Sequence, residues 1–498
     1  MSAVGYPSRR GAVLAAAFGL FLMAAFTMRG EFRMPLNGDA AYHIDAARRM
    51  LDGAVLYRDI YDLNPPFIFW GSLPAAALGA DGMAAITVFR ALVMAVVICA
   101  LVLGWHSTRN SPTLWLGFAL MALVLPLGYF GQREYLIFAL LFPYVCVAAA
   151  RAEDLVPGPA TAILAGGLAA LGVLMKPTGI IVPALLATVY WRAKGLRAVL
   201  TREHLAMAAV GAVGGAAVLL LTPDYLRVIG EIQEAYRTFN QQSFGTLLTR
   251  DVHMWAIWFA LGAAVLFGRQ LPNRRRILVL ALATAGLGAS AVLQRKGFGY
   301  HYFPAVGFGV ILMLDILLAR PRSGPAALLR QLVLAGLLLP VLYLFGAVAW
   351  RRAHGVFTAT RADQETVARM LGDQPATVAV LSARISDAFP VVLENDHRFV
   401  LRYPLFWAAA LPLDFPGTEA IRRQYGEDLA RHRPSALVVR SPMTTEMSGG
   451  DVSVDYLEYL CHDEVARSTL SEYRLIESAH GFRLYGPVSE GEPACASS

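Results

Sequence analysis

Asp39, Arg133, Lys176, Arg295 and Lys296 are ionisable residues at the edges of long apolar runs, and their types suit a definite chemistry. Asp39 follows the first run, in LNGDAAYHID, and the cations occupy the short turns GQREYLIF, LMKPTGIIVP and QRKGFGYHYFPA between later runs. A carboxylate within hydrogen-bond reach of a hydroxyl can take its proton as a general base. Cations gathered in a place partly withdrawn from water stabilise a negative charge that grows on a leaving phosphate. Each cation alone can instead snorkel to a lipid phosphate. Four at one level suggest a shared anion site, with Lys176 first and Arg133 second because a guanidinium holds two oxygens at once. Glu134, Tyr300, His301 and Tyr302 stand beside these cations and could orient a substrate, although aromatic residues at such places also form interfacial belts.

Asp39 has an alternative role as a helix N-cap, and the two roles are compatible, since a capping carboxylate stays ionised and fixed in direction. After it Ala40, Ala41, Ile44, Ala47 and Leu51 recur at helical spacing, with His43, Asp45, Arg48, Arg49 and Asp52 on the other faces. This is an amphipathic helix for the membrane interface, stopped by Gly53. His43 lies one turn from Asp39 and can pair with it or face water.

The elements that must carry these residues follow from composition. The 498 residues are 56% hydrophobic and 16% charged, against roughly a quarter charged in soluble domains. An ordinary cytosolic enzyme is excluded. Runs near 11–28, 84–104, 112–130, 135–150, 160–175, 178–191, 205–222, 252–268, 277–293, 303–319 and 329–350 make about eleven candidate spans. Residues 66–80 are apolar but short and bear proline, and read as an interfacial or re-entrant piece. The net charge of +7 is no sign of a nucleic-acid partner. Its carriers, Arg109, the group Arg192 to Arg202 with Lys194, the group Arg269 to Arg276, and Arg320 with Arg322, fall in alternate short loops and predict a cytoplasmic N-terminus.

That threading places 29–83, 223–251 and everything after about 351 outside the cytoplasm. Two parts are expected: residues 1–350 as the membrane domain, with 29–83 as its first external loop, and 351–498 as an extracytoplasmic α/β domain. In the latter, Thr377 to Ser382, Phe399 to Arg402, Ala436 to Arg440 and Phe482 to Tyr485 read as strands and Gly417 to Arg431 as a helix. Segment 223–251 is long enough to close over a substrate, and reads equally well as a surface helix on the terminal domain. Of four cysteines only Cys461 and Cys495 are placed to pair.

In order along the chain, Gly38-Asp39 with its amphipathic helix, Gly53 to Asp59, Pro65 to Trp70, Arg90, Arg133-Glu134, Met175 to Gly179 and Lys296 to Pro304 resemble the GT-C superfamily of polytopic membrane glycosyltransferases. The resemblance is to the branch of protein O-mannosyltransferases and the lipid A aminoarabinose transferase. It implies a polyprenyl-phosphate-linked sugar as donor, a hydroxyl of a glycolipid, polysaccharide or protein of the cell envelope as acceptor, and the cytoplasmic membrane as location. With Asp39 as base and Lys176, Arg133, Arg295 and Lys296 on the donor phosphate, direct displacement inverts the anomeric centre. Many relatives carry lysine before the Pro pair, where this chain has Asn64, so that contact cannot carry over with its charge. Some branches use a divalent metal, and Glu134 leaves that open.

A lipid or sugar transporter would place polar groups at mid-membrane and show repeated halves. Here the charges cluster at one face and no repeat is evident. A non-catalytic envelope scaffold is the third class. Both predict that the Asp39 carboxylate is dispensable for sugar transfer.

Overall fold

The computed structural model describes residues 9–495 except 109–110, 127, 196, 198, 240, 320–324, 354–358, 442 and 448–449. Arg109, Arg320, Arg322 and the side chain of Lys194, used above for orientation, lie outside the described residues. Among those described, seven helices are long and apolar enough to cross a membrane: Gly82–Ser107, Arg133–Ala152, Arg202–Leu221, Val252–Gln270, Arg274–Leu293, Gly299–Leu318 and Ala327–Val348. Phe67–Leu78, Pro112–Val124 and Pro159–Met175 are shorter apolar helices. The chain is a multi-pass membrane protein. Phe67–Leu78 has 12 residues, about 18 Å of helix, too short for a hydrocarbon layer of roughly 30 Å.

The chain divides into two compact units, residues 1–34, 93–214 and 243–356, and residues 35–92, 215–242 and 357–498. In the first, Arg133–Ala152 and Gly299–Leu318 are buried over most of their length and form the centre of the bundle. Their approach needs a residue without a side chain. A Cβ on Gly307 would meet the Phe138 ring at 2.7 Å, so glycine there lets the backbones close, as small residues do between membrane helices. Phe118 stacks on Phe142 with centroids 4.1 Å apart. At the far end of the Gly299–Leu318 helix the buried Asp315 accepts from Thr113 Oγ1 at 2.6 Å, Asn273 Nδ2 at 2.7 Å and Arg276 Nε at 2.9 Å. Arg276 Nη1 also reaches Glu153 at 2.8 Å. This charged knot ties four segments where hydrocarbon packing alone gives little directionality.

The second unit contains a five-stranded sheet of order β2-β1-β3-β7-β6, with β1 Thr377–Leu381, β2 Arg398–Phe399, β3 Ala436–Arg440, β6 Arg474–Ala479 and β7 Phe482–Gly486, beside a hairpin of β4 Met443–Met447 and β5 Gly450–Val454. β1 runs parallel to β2 and β3, and β7 is antiparallel to β3 and β6. The helix expected at 417–431 spans Thr418–His432. Strand β6 and the hairpin were not legible, because their mixed polar sequences lack clean alternation. Cys461 and Cys495 form a disulfide.

Segment 35–92 packs with this sheet-containing part. The Gly38–Leu51 helix lies on the residues after β1, and Tyr61 N–H donates to Arg402 O at 2.8 Å. The polar helix Tyr225–Thr238 belongs here too. Asp224, which precedes it, takes Arg58 Nε at 2.5 Å, Tyr225 packs on Tyr57, and Tyr236 meets the edge of Trp407 at 5.4 Å. Of the two readings of 223–251, the Trp407 contact is that of a helix packed on the terminal domain, and the Arg58 and Tyr57 contacts tie the same helix to the segment expected as the first external loop.

Candidate functional site

Each unit holds one constellation of the residues singled out above. In the first unit three helix ends meet. Helix Pro159–Met175 stops because Pro177 cannot continue it and pushes the residue before it into an extended conformation. Lys176 accordingly has φ −152° and ψ 98°. Its side chain leaves the helix line and becomes buried, at 8% exposure. Gln132 precedes the Arg133–Ala152 helix in extended conformation, so Arg133 and Glu134 fall in its first turn, where the positive helix end favours a carboxylate. His301 sits in the first turn of Gly299–Leu318.

Glu134 is the hub. Its Oε1 accepts from Lys176 Nζ at 2.5 Å and from Arg133 Nη2 at 2.7 Å, and His301 Nε2 lies 3.9 Å away. Glu134 is 2% exposed, so three ionisable partners share a nearly dry space. Two cations and one carboxylate leave one net positive charge, to which the N-terminal ends of two helices add. His301 Nδ1 is buried without a hydrogen-bond partner, an available polar atom beside that charge. The arrangement suits an anion.

The other two cations stand in the turn just before Gly299–Leu318. Arg295, in the left-handed conformation at φ 56°, lays its guanidinium over the Phe244 ring at 4.9 Å. Lys296 is buried in the same turn at 6% exposure, and burial pushes its ammonium down to about 7. Of the four cations expected to share an anion site, Arg133 and Lys176 meet on Glu134, and Lys296 is close enough to His301 to act on it electrostatically. Tyr300 stacks on Phe298 and meets the edge of His301 at 4.4 Å. Tyr302 is wholly buried, which excludes it from an interfacial belt, and stacks on His253 with an interplanar angle of 8°.

His253 was missed in the sequence. Asp251 caps the helix Val252–Phe267 and accepts both the backbone N–H of His253 at 2.8 Å and its Nδ1 at 2.9 Å. Burial raises the Asp251 carboxyl, but the bonds from His253 outweigh it and hold the group below its usual range. That orientation turns Nε2 toward Gly299, where an added Cβ would lie 3.3 Å from it. A capping aspartate two residues ahead of a histidine was the available signal.

In the second unit Asp39 stands in the first turn of Gly38–Leu51, and the cap is Asn37, whose side chain accepts the Asp39 N–H at 3.0 Å. The expected N-cap position of Asp39 is therefore corrected: Asn37, one residue before the glycine, is the N-cap and takes the Asp39 N–H, while Asp39 stands in the first helical turn. His43 is 3% exposed and packs edge-on against Phe69 at 5.2 Å, so it does not face water. Asp45, on the same helix, is 5% exposed with Oδ2 unpartnered, and burial pushes its carboxyl up to about 6 against the pull of Arg49 and Arg48. Asn64 contributes its backbone: its N–H donates to Asp62 at 2.7 Å and its carbonyl accepts Tyr57 Oη at 2.6 Å. Among the described residues no three His, Cys, Asp or Glu side chains gather as metal ligands. Glu134 is committed to cations, so the residues present do not fit a metal there.

No family model matches the chain, and neither does any curated protein. Among solved structures it is similar to ArnT from Cupriavidus metallidurans bound to undecaprenyl phosphate, at 13% identity and TM-score 0.62 over 98% of this chain and 100% of that one. It is also similar to ArnT from Cupriavidus metallidurans in the apo state, at 14% identity and TM-score 0.59 over 95% and 98% of the two chains. The chain thus shares with these structures a polytopic helical membrane fold with a C-terminal sheet region.

Proposed function

We propose that the protein is a membrane glycosyltransferase that moves a sugar from a polyprenyl-phosphate donor to a hydroxyl of a cell-envelope acceptor, a glycolipid, polysaccharide or protein. The observation that carries this reading is the buried Arg133–Glu134–Lys176–His301 cluster at three helix ends, within a fold similar to that of a protein bound to undecaprenyl phosphate. The cytoplasmic membrane is the location, with the N-terminus inside and residues 351–498 forming an extracytoplasmic domain. The basic loops support that orientation.

Chemically, the acceptor hydroxyl must lose its proton as it attacks the anomeric carbon, and Asp39 is the base. The bond from the anomeric carbon to the phosphate oxygen breaks as the new glycosidic bond forms, with inversion. Negative charge accumulates on the leaving phosphate, and Lys176 and Arg133 stabilise it more in the transition state than in the ground state. Lys296 and Arg295 assist at the lipid-phosphate side, while His43, Asn64, Glu134, Tyr300, His301 and Tyr302 hold the sugar or these groups in place. The test is transfer from a polyprenyl-phosphate sugar to envelope acceptor by purified protein. Asp39→Asn should lose activity at least a hundredfold while still binding donor, and Lys176→Met should weaken donor binding. An Asp39→Asn variant that is folded and fully active removes Asp39 as the base.

A further inference from the structure

The Asp39 helix is held at both ends by one short stretch of the C-terminal region, residues 385–396. At its N-terminal end, a Cβ on Gly38 would meet Phe389 O at 3.1 Å, Ser386 Cα at 3.2 Å and Ile385 Cγ2 at 3.3 Å. Two of these three are backbone atoms, which cannot rotate away as a side-chain tip can. That backbone is itself anchored. Ser382 Oγ donates to the fully buried Asp387 at 2.5 Å, and Arg440 Nη1, from the end of β3, donates to the same oxygen at 2.9 Å.

At the other end, Arg48 Nη1 donates to Asp396 Oδ1 at 2.7 Å. The same oxygen accepts Gly82 N–H at 2.9 Å, at the start of the helix Gly82–Ser107. Gly82 has no room for any side chain, since an added Cβ would lie 1.7 Å from Leu393 O. Between the two ends Tyr42 packs on Phe389 at 5.5 Å, and beside Arg48 at the second end Arg49 donates to Leu401 O at 3.1 Å and to Asp59 O at 2.9 Å. A helix fixed at both ends has little freedom to rotate about its axis or slide, so the direction of a first-turn side chain is set by the fixing element.

We infer that residues 385–396 act as a splint that aims the Asp39 carboxylate, with Gly38, Arg48 and Asp396 as positioning residues for the transfer reaction. The inference rests on the reading of Asp39 as the base. The C-terminal region then has a defined part in turnover without touching the reacting atoms. A group that only aims the base changes the chemical step and leaves donor binding alone, because a misplacement near 1 Å costs on the order of a hundredfold in rate.

The full-length protein in detergent or nanodiscs tests this. Gly38→Ala and Gly38→Val should lower kcat in graded fashion, about threefold and tenfold or more, with the donor KM within twofold. Gly230→Ala, at a position with open space around it, is the control and should leave both unchanged. Asp396→Asn, which keeps shape and loses charge, should lower kcat, and the exchanged pair Arg48→Asp with Asp396→Arg should recover a part of it that neither single change retains. Unchanged kcat in Gly38→Val, with Asp39→Asn inactive, overturns the splint and leaves the base assignment standing. If Asp39→Asn is active, the base assignment fails instead, and amide hydrogen exchange over 38–51 decides the splint: faster exchange in Asp396→Asn supports the mechanical claim, and unchanged exchange overturns it.

Discussion

Glu134→Gln separates a phosphate site from a merely structural ion pair. Arg133 Nη2 and Lys176 Nζ lie 2.7 Å and 2.5 Å from the same carboxylate oxygen. The two cationic nitrogens are therefore within about 5 Å of each other, and at an effective dielectric constant near 20 their repulsion is about 3 kcal/mol. In the wild type Glu134 offsets that repulsion. Glutamine keeps the shape and an acceptor oxygen but not the charge, so the unliganded variant should lose thermal stability, in the direction expected when one partner of a buried pair is removed.

A bound phosphate then supplies the missing negative charge. Where the cations face the donor, Glu134 and phosphate compete for them, and the variant should bind a polyprenyl phosphate at least about tenfold more tightly, since roughly 1.4 kcal/mol of relieved repulsion is a factor of ten. Turnover should fall because the phosphate product is held. The assays are titration of polyprenyl phosphate into purified protein and the rise in melting temperature on saturation, which should be larger in Glu134→Gln than in wild type. Equal or weaker binding by the folded variant would refute the reasoning, because the cations would then exist to hold Glu134 rather than to meet a ligand.

Asp45 makes a pH prediction. Its folded pKa of about 6 lies above the ordinary unfolded value near 3.9, so its contribution to stability is fully present below that value and is lost as pH rises through 6. The loss amounts to about 3 kcal/mol; Asp45→Asn should melt higher than wild type at pH 8 and no differently at pH 4, and a lower melting temperature at pH 8 would be the contrary result. Asp315 makes a prediction of specificity: it is about 20 Å along its helix from His301, so Asp315→Ala should destabilise the protein, because Thr113 and Asn273 lose their acceptor and Arg276 keeps only Glu153 of its two carboxylate partners. The donor KM of the surviving folded protein should be unchanged, and a raised KM would show that the two ends of the bundle are coupled.

The sequence by itself determined what depends on neighbours along the chain. Run length and apolarity mark the membrane helices, Pro177 ends a helix and releases Lys176, and the β-rich runs Thr377–Leu381 and Ala436–Arg440 appear as strands because an apolar stretch of that length suits a parallel pair. The local order Asn37-Gly38-Asp39 leaves two candidate caps, and the choice falls to Asn37 only where the first helical turn starts.

Only the tertiary structure decided which charges meet. Arg133 and Lys176 are separated from Arg295 and Lys296 by more than a hundred residues, and all four look alike in sequence, yet two converge on Glu134 and one is drawn to Phe244. The clasp of residues 385–396 on a helix near the N-terminus was equally invisible, because glycine at 38 and at 82 records only the absence of a side chain, and what fills that absence comes from more than three hundred residues away. Periodicity and turn chemistry are short-range, whereas a buried charge takes its meaning from partners that folding alone brings within a few ångströms.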